Sequence, residues 1–146
     1  MFCLAPILNP VSLSILLTVV ALLIFCFISR PQKTPERHVW VTGLNPDKAD
    51  YYEELHANPW PSVTKNLSEC NIQNMSIHTC EIEGKSYLFL YLDYVGDDFE
   101  ADMAFMSADP DVQRWWKETD SCQIPLPAAA AKGAIWSDTT EVFYQP

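Results

Sequence analysis

Tyr52 and His56 stand four residues apart in the stretch YYEELHANPWP, residues 51–61, a spacing that sets one side chain above the other on a helix. Histidine is the natural proton donor and acceptor near neutral pH, because an unperturbed imidazole has a pKa of about 6.5. Pro59 and Pro61 must end that helix soon after His56, since proline lacks a backbone donor and disfavours helical geometry in the residue before it. His56 is therefore expected in or near the last turn. The plain alternative to acid/base work there is an imidazolium interacting with the helix C-terminus. A second stretch, DVQRWWKETD at 111–120, follows the helix start signal Asp109-Pro110. Consecutive helical residues diverge by about 100°, so Trp115 and Trp116 cannot both enter one narrow core. One is left to line a cavity, where an indole face can stack on the C–H surface of a sugar ring. The two helices are expected to frame one small-molecule pocket. No Gly-rich phosphate loop, zinc motif, serine nucleophile elbow or paired-carboxylate signature accompanies them.

The elements that must position these residues follow from periodicity. Arg37 to Thr42 reads as a first strand, with Val39 and Val41 on one face and Trp40 on the other. The turn Gly43 to Asp47 leads into the helix of Tyr52 and His56, and a second helix follows Pro61 with Val63 and Leu67 buried four apart. Ile72 to Ile82 has strand character, and Gly84-Lys85 turns into YLFLYLDY, 87–94. There Leu88, Leu90 and Leu92 share one face, and Tyr87, Phe89, Tyr91 and Asp93 the other. Phe99, Met103 and Met106 recur at helical spacing and read as core, as do Val112, Trp115, Trp116 and Thr119 in the next helix. CQIPLPAAAAKG, 122–133, reads as a connection able to cover a pocket, and TTEVFYQP closes the chain as a final strand. The order of strand, helices, two strands, helices and strand predicts an α+β, ferredoxin-like α/β sandwich with helices over one face of an antiparallel sheet. An identical subunit is the simplest cover for the other face, where Tyr87, Phe89 and Tyr91 lie.

The chain of 146 residues has room for one domain. Residues 11–29, VSLSILLTVVALLIFCFIS, carry no charge, and 19 residues at about 1.5 Å each approach the roughly 30 Å hydrocarbon thickness. The run predicts one N-terminal transmembrane helix. The alternative of a cleaved signal peptide is disfavoured, because no Lys or Arg precedes it and no small-x-small site follows. Residues 30–36, RPQKTPE, read as a stiff linker to a domain over 37–146. Arg30, Lys33 and Arg37 all lie C-terminal to the run, which predicts a single-pass membrane protein with its C-terminal domain in the cytoplasm. Cys70, Cys80 and Cys122 show neither a disulfide framework nor metal-ligand spacing. The net charge of −10 argues against nucleic acid, which requires a basic footprint, and leaves a neutral ligand or a protein as partner.

From about Arg37 to Pro146 the sequence resembles the L-rhamnose mutarotase family. The resemblance is carried by NPDKADYYEELHANPWP at 45–61, DVQRWWK at 111–117 and EVFYQP at 141–146, in matching order and spacing. It implies a small homodimer of the dimeric α/β-barrel type that interconverts the α and β anomers of L-rhamnose with no cofactor and no metal. Residue by residue, it makes His56 the proton donor and Tyr52, Trp115 and Trp116 sugar contacts. Where the family places a sugar-contacting tyrosine in Asn-Tyr-Ser-Ile, this chain has Asn74-Met75-Ser76-Ile77. Met75 then offers a soft apolar surface at the substrate in place of a hydroxyl. The reading that follows is a membrane-tethered mutarotase of L-rhamnose or a related aldose. Its rival, motivated by Met75, is a noncatalytic sugar-binding or scaffolding module on the same fold. A cofactor-free oxygenase on this scaffold rests on fold analogy alone.

Overall fold

The computed structural model describes residue 9 and residues 14–16, 18–20 and 34–145, and the chain divides into two compact units, Met1–Lys33 and Thr34–Pro146. In the first unit residues 14–16 and 18–20 are helical. The expectation of an N-terminal transmembrane helix, and with it of a single-pass membrane protein, is corrected here. Among the described residues no helix is long and apolar enough to cross a membrane. The six described helical positions account for about 9 Å of rise against the roughly 30 Å required. The rest of the span 11–29, and residues 30–33 of the linker, lie outside the described residues.

The second unit begins with strand β1, Glu36–Leu44. A 3₁₀ turn, Pro46–Lys48, opens where Asn45 Oδ1 accepts from the Asp47 N–H, and it feeds helix α1, Ala49–Ala57. Asn58 and Pro59 stop α1, and Pro61 starts helix α2, Pro61–Glu69, at its first turn. Strands β2, Ile72–Ile82, and β3, Lys85–Tyr94, form a hairpin through Glu83 and Gly84, both in the left-handed region. Helix α3, Phe99–Ala108, is capped by Asp98. Helix α4, Pro110–Asp120, is capped by Asp109, whose carboxylate accepts from the Asp111 and Val112 amides at 2.8 and 3.1 Å.

The antiparallel sheet runs β2-β3-β1-β4, with β4 at Gln123–Ile124; β5, Ser137–Asp138, also pairs with β1. This is the strand order of a ferredoxin-like α+β sandwich. Leu88 and Leu92 are buried beneath the helices. One cluster joins Leu92, Tyr94, Ile72, Cys70, Met106 and Val112, and another joins Leu44, Tyr52, Leu88 and Cys122. The expected final strand over TTEVFYQP is absent: the second half contributes β4 and β5, and residues 139–145 have no regular structure. Pro125 and Pro127 cut β4 to two residues by removing ladder donors. The connection also forms a short helix, α5, Pro127–Ala130. Gly43 admits β4 at all, since a Cβ there would lie 2.8 Å from the Ile124 carbonyl oxygen.

Candidate active site

His56 lies in the last turn of α1, and its ring is held from two sides. Its Nδ1 is 2.9 Å from the Tyr52 carbonyl oxygen. A carbonyl only accepts, so Nδ1 carries the hydrogen and Nε2 is left as the nitrogen that can exchange a proton. The Tyr52 ring packs at 4.2 Å from the imidazole, and the Trp115 indole meets it edge-on at 5.3 Å. Trp60 in turn meets Trp115 edge-on at 5.4 Å and lies under the Arg114 guanidinium at the same distance.

A concavity of about 470 Å³ opens beside His56 and Trp115. Pro59, Val63, Thr64 and Leu67 close it on the α1–α2 side, and Met75, Ser76 and Ile77 of β2 close it on the sheet side. Its wall is mostly apolar, and His56 is its one titratable side chain. A neutral ring with an apolar face and a few hydroxyl groups suits such a hollow. A larger hollow of about 620 Å³ along β1 includes His38, but that ring is stacked on Phe99 at 4.1 Å and on Trp40 at 5.2 Å. Its arginine is paired, Arg37 to Glu141 at 2.7 Å. Size therefore does not rank these hollows by chemistry.

His56, Trp115 and Met75 meet around one space, as the sequence suggested they could. Tyr52 does not reach it. It is 3% exposed, belongs to the core beside Leu88 and Cys122, and its phenol is pushed up to about 12 by burial, with a hydrogen bond to Gln123 acting the other way. Trp116 does not line the space either; it is 38% exposed, whereas α4 turns Val112, Trp115 and Thr119 inward. The 100° step between neighbours decides which indole enters. Sequence reasoning missed the wall residues Pro59, Thr64 and Ile77 as site residues. The proline that ends α1 was legible as a helix stop, but nothing local marked it as a wall.

Met75 owes its place to an irregularity. The β2–β3 register shifts between Gln73 and Ser76, so that one extra residue is inserted, and Asn74 there adopts φ 49°.

The family model for L-rhamnose mutarotase matches residues 37–145. L-rhamnose mutarotases of Escherichia coli O1:K1 and of Shigella flexneri are 29% and 28% identical over 110 residues, covering 75% of this chain and 98% of each relative. Among solved structures, an L-rhamnose mutarotase from Formosa agariphila superposes with a TM-score of 0.57 at 22% identity, over 76% of this chain and 99% of that one. Tetracenomycin F2 cyclase from Streptomyces glaucescens superposes with a TM-score of 0.52 at 14% identity over the same shares, so this fold alone does not choose the chemistry. The match from 37 to 145 does: the chain belongs to the L-rhamnose mutarotase family.

Proposed function

We propose that the domain interconverts the α and β anomers of L-rhamnose or a closely related aldose, with His56 as its acid/base group. The observation that carries this reading is the imidazole itself. It is fixed through Nδ1 on the Tyr52 carbonyl and leaves Nε2 free at a mostly apolar hollow bounded by Trp115 and Met75. In the imidazolium form Nε2 gives its proton to the ring oxygen while the anomeric hydroxyl loses its proton to water. The bond from the anomeric carbon to the ring oxygen breaks, and the carbonyl of the open aldehyde forms. Rotation about the adjacent carbon–carbon bond presents the other face, and the reverse proton movements close the ring. Holding donor and ring oxygen together supplies the proximity on which such a transfer depends.

Trp115 is assigned the apolar face of the sugar and Met75 the opposite wall. Tyr52 supports the imidazole through its ring and carbonyl. Of the two adjacent indoles only Trp115 is given a sugar contact. The uncovered sheet face, with Val39 at 36% exposure, and the tail residues Val142, Phe143 and Tyr144 at 94, 77 and 45% favour a homodimer of the dimeric α/β-barrel type. Sedimentation of the domain at the mass of two copies is the expected result.

The deciding experiment is NMR saturation transfer between anomers across a panel of aldoses, with L-rhamnose first. The exchange rate should rise in proportion to added protein. The solvent rate for every sugar, with binding retained, would instead assign the chain a noncatalytic sugar-binding role.

A further inference from the structure

The wall residue Met75 sits on an edge strand, with a paired strand on one side only. What holds it is the bulge just before it. Asn74 occupies the left-handed region at φ 49°, a conformation that costs most residues energy and that asparagine adopts more readily. Its side chain is not spent on its own turn. Asn74 Nδ2 donates to Asp93 Oδ2 at 2.7 Å, across the hairpin on β3. The other carboxylate oxygen, Asp93 Oδ1, accepts from the Tyr91 hydroxyl at 2.5 Å. Asp93 pairs in register with Gln73 and Tyr91 with Ser76, so the two ends of the clamp bracket the shift that contains Asn74 and Met75.

We infer that Asn74, Asp93 and Tyr91 are positioning residues that lock the bulge and thereby aim Met75 at the sugar held beside His56. Tyr91 stands on the face of the sheet away from the helices, next to Val39 in the β1–β3 register. The clamp therefore ties that outer face to the wall of the hollow. Asp93 is only 8% exposed, and the two donors hold its carboxyl below the usual range, Tyr91 contributing more than Asn74. A bulge beside a binding hollow re-aims a side chain at the cost of ladder pairing, and this one spends a buried carboxylate to do so.

The molecule carries its own control. Asp102 Oδ2 accepts from the Tyr94 hydroxyl at 2.7 Å and from Asn71 Nδ2 at 2.9 Å, with Asn71 also left-handed at φ 58°. Residue types and chemistry are the same, but none of the three lines the His56 hollow. A general structural role predicts equal behaviour for the two sets.

The inference rests on the mutarotase reading for its kinetic readout and has a second readout that does not. Asp93→Ala should raise KM for L-rhamnose by about tenfold with kcat within about twofold, the mark of lost ground-state binding. Asp93→Asn should restore KM, because the Asn74 amide can turn its oxygen toward the new amide while Tyr91 still donates to the remaining oxygen. Asp102→Ala should lower Tm without moving KM. Independently of turnover, the ¹³C-methyl resonance of Met75, assigned by its loss in Met75→Leu, should shift and broaden in Asp93→Ala and stay fixed in Asp102→Ala. An unmoved Met75 methyl in Asp93→Ala, or equal KM changes in both alanine variants, overturns the clamp. A wild type without anomer exchange sinks the mutarotase reading alone, since the methyl spectrum still decides this one.

Discussion

Replacing His56 by asparagine separates catalysis from folding more cleanly than any other change at this site. Asparagine can still donate toward the Tyr52 carbonyl that holds His56 Nδ1 at 2.9 Å, and what it removes is the exchangeable nitrogen Nε2. The wall offers no second titratable side chain to take over. The loss should therefore be the full contribution of positioned acid/base catalysis, about 10²–10⁴-fold in kcat/KM. At about 1.36 kcal/mol per factor of ten this is roughly 3–5.5 kcal/mol of barrier. The folding side is much smaller. His56 is in the last turn of α1, where a favourable charge–dipole contact contributes about 0.3–1 kcal/mol, so Tm should fall by no more than a few degrees. The assay is saturation transfer between the rhamnose anomers at a temperature well below both melting transitions, with sugar binding followed separately by titration. Binding within about threefold of wild type, together with exchange near the solvent rate, is expected. Exchange in His56→Asn within threefold of wild type would falsify the assignment of the imidazole, whatever the fold.

Further outcomes follow from the same geometry. Trp115→Phe should weaken sugar binding by about tenfold, while Trp116→Ala, at an exposed position outside the hollow, should leave it within twofold; titration of the two variants side by side checks the choice of indole. Tyr52→Phe removes a buried phenolic hydroxyl that lies outside the hollow, so urea unfolding should show a change within about 1.5 kcal/mol with kcat little changed. The Asp93 and Asp102 carboxyls are both held below their ordinary range by tyrosine and asparagine donors. Because their folded pKa lies below the unfolded value of about 3.9, their contribution is present above that pH and is lost as pH falls through the folded value. Thermal melts should therefore show the Asp102→Asn penalty at pH 7 and its disappearance near pH 2. Asp120 has the opposite sign, since burial raises it; Asp120→Asn should increase Tm at pH 7, and the gain should vanish on acidification.

The elements that carry the site were readable because their boundaries are written in local chemistry. Asp109-Pro110 starts α4 by a carboxylate on two amides, and Asn58 and Pro59 stop α1 directly after Ala57, so His56 falls in the last turn as expected. The alternation of Leu88, Leu90 and Leu92 marked the buried face of β3, and two of the three are under 5% exposed. The last strand was misread for a reason of the same kind. Val142, Phe143 and Tyr144 alternate as a strand would, but β5 reaches only Trp40 and Val41 of β1. Beyond it Arg37 holds the tail by its side chain, bonded to Glu141 and stacked 3.4 Å over Tyr144, so ladder pairing is replaced by side-chain contacts. The apolar run near the N-terminus satisfied every compositional test for a membrane span, yet no described helix has the length. Tyr52 was assigned to the sugar by the family resemblance, and its spacing from His56 placed it on the same helix face. Spacing places a residue on a helix face but not at a depth, and Tyr52 is too deep.

Strand β2 is the border of the sheet, and from Gln73 to Ile82 its side chains are largely exposed. A long border strand is a template on which another molecule's backbone can add itself, the first step toward insoluble stacks. The interruption at Asn74 breaks the regular run of donors and acceptors near one end. Glu81 and Glu83 bring like charges to the other, so two copies approaching border to border repel there. The kink beside the His56 hollow thus also interrupts the border along which a second copy would have to pair. Straightening it by deleting Asn74 should show first as turbidity on concentration, before any change in melting is seen.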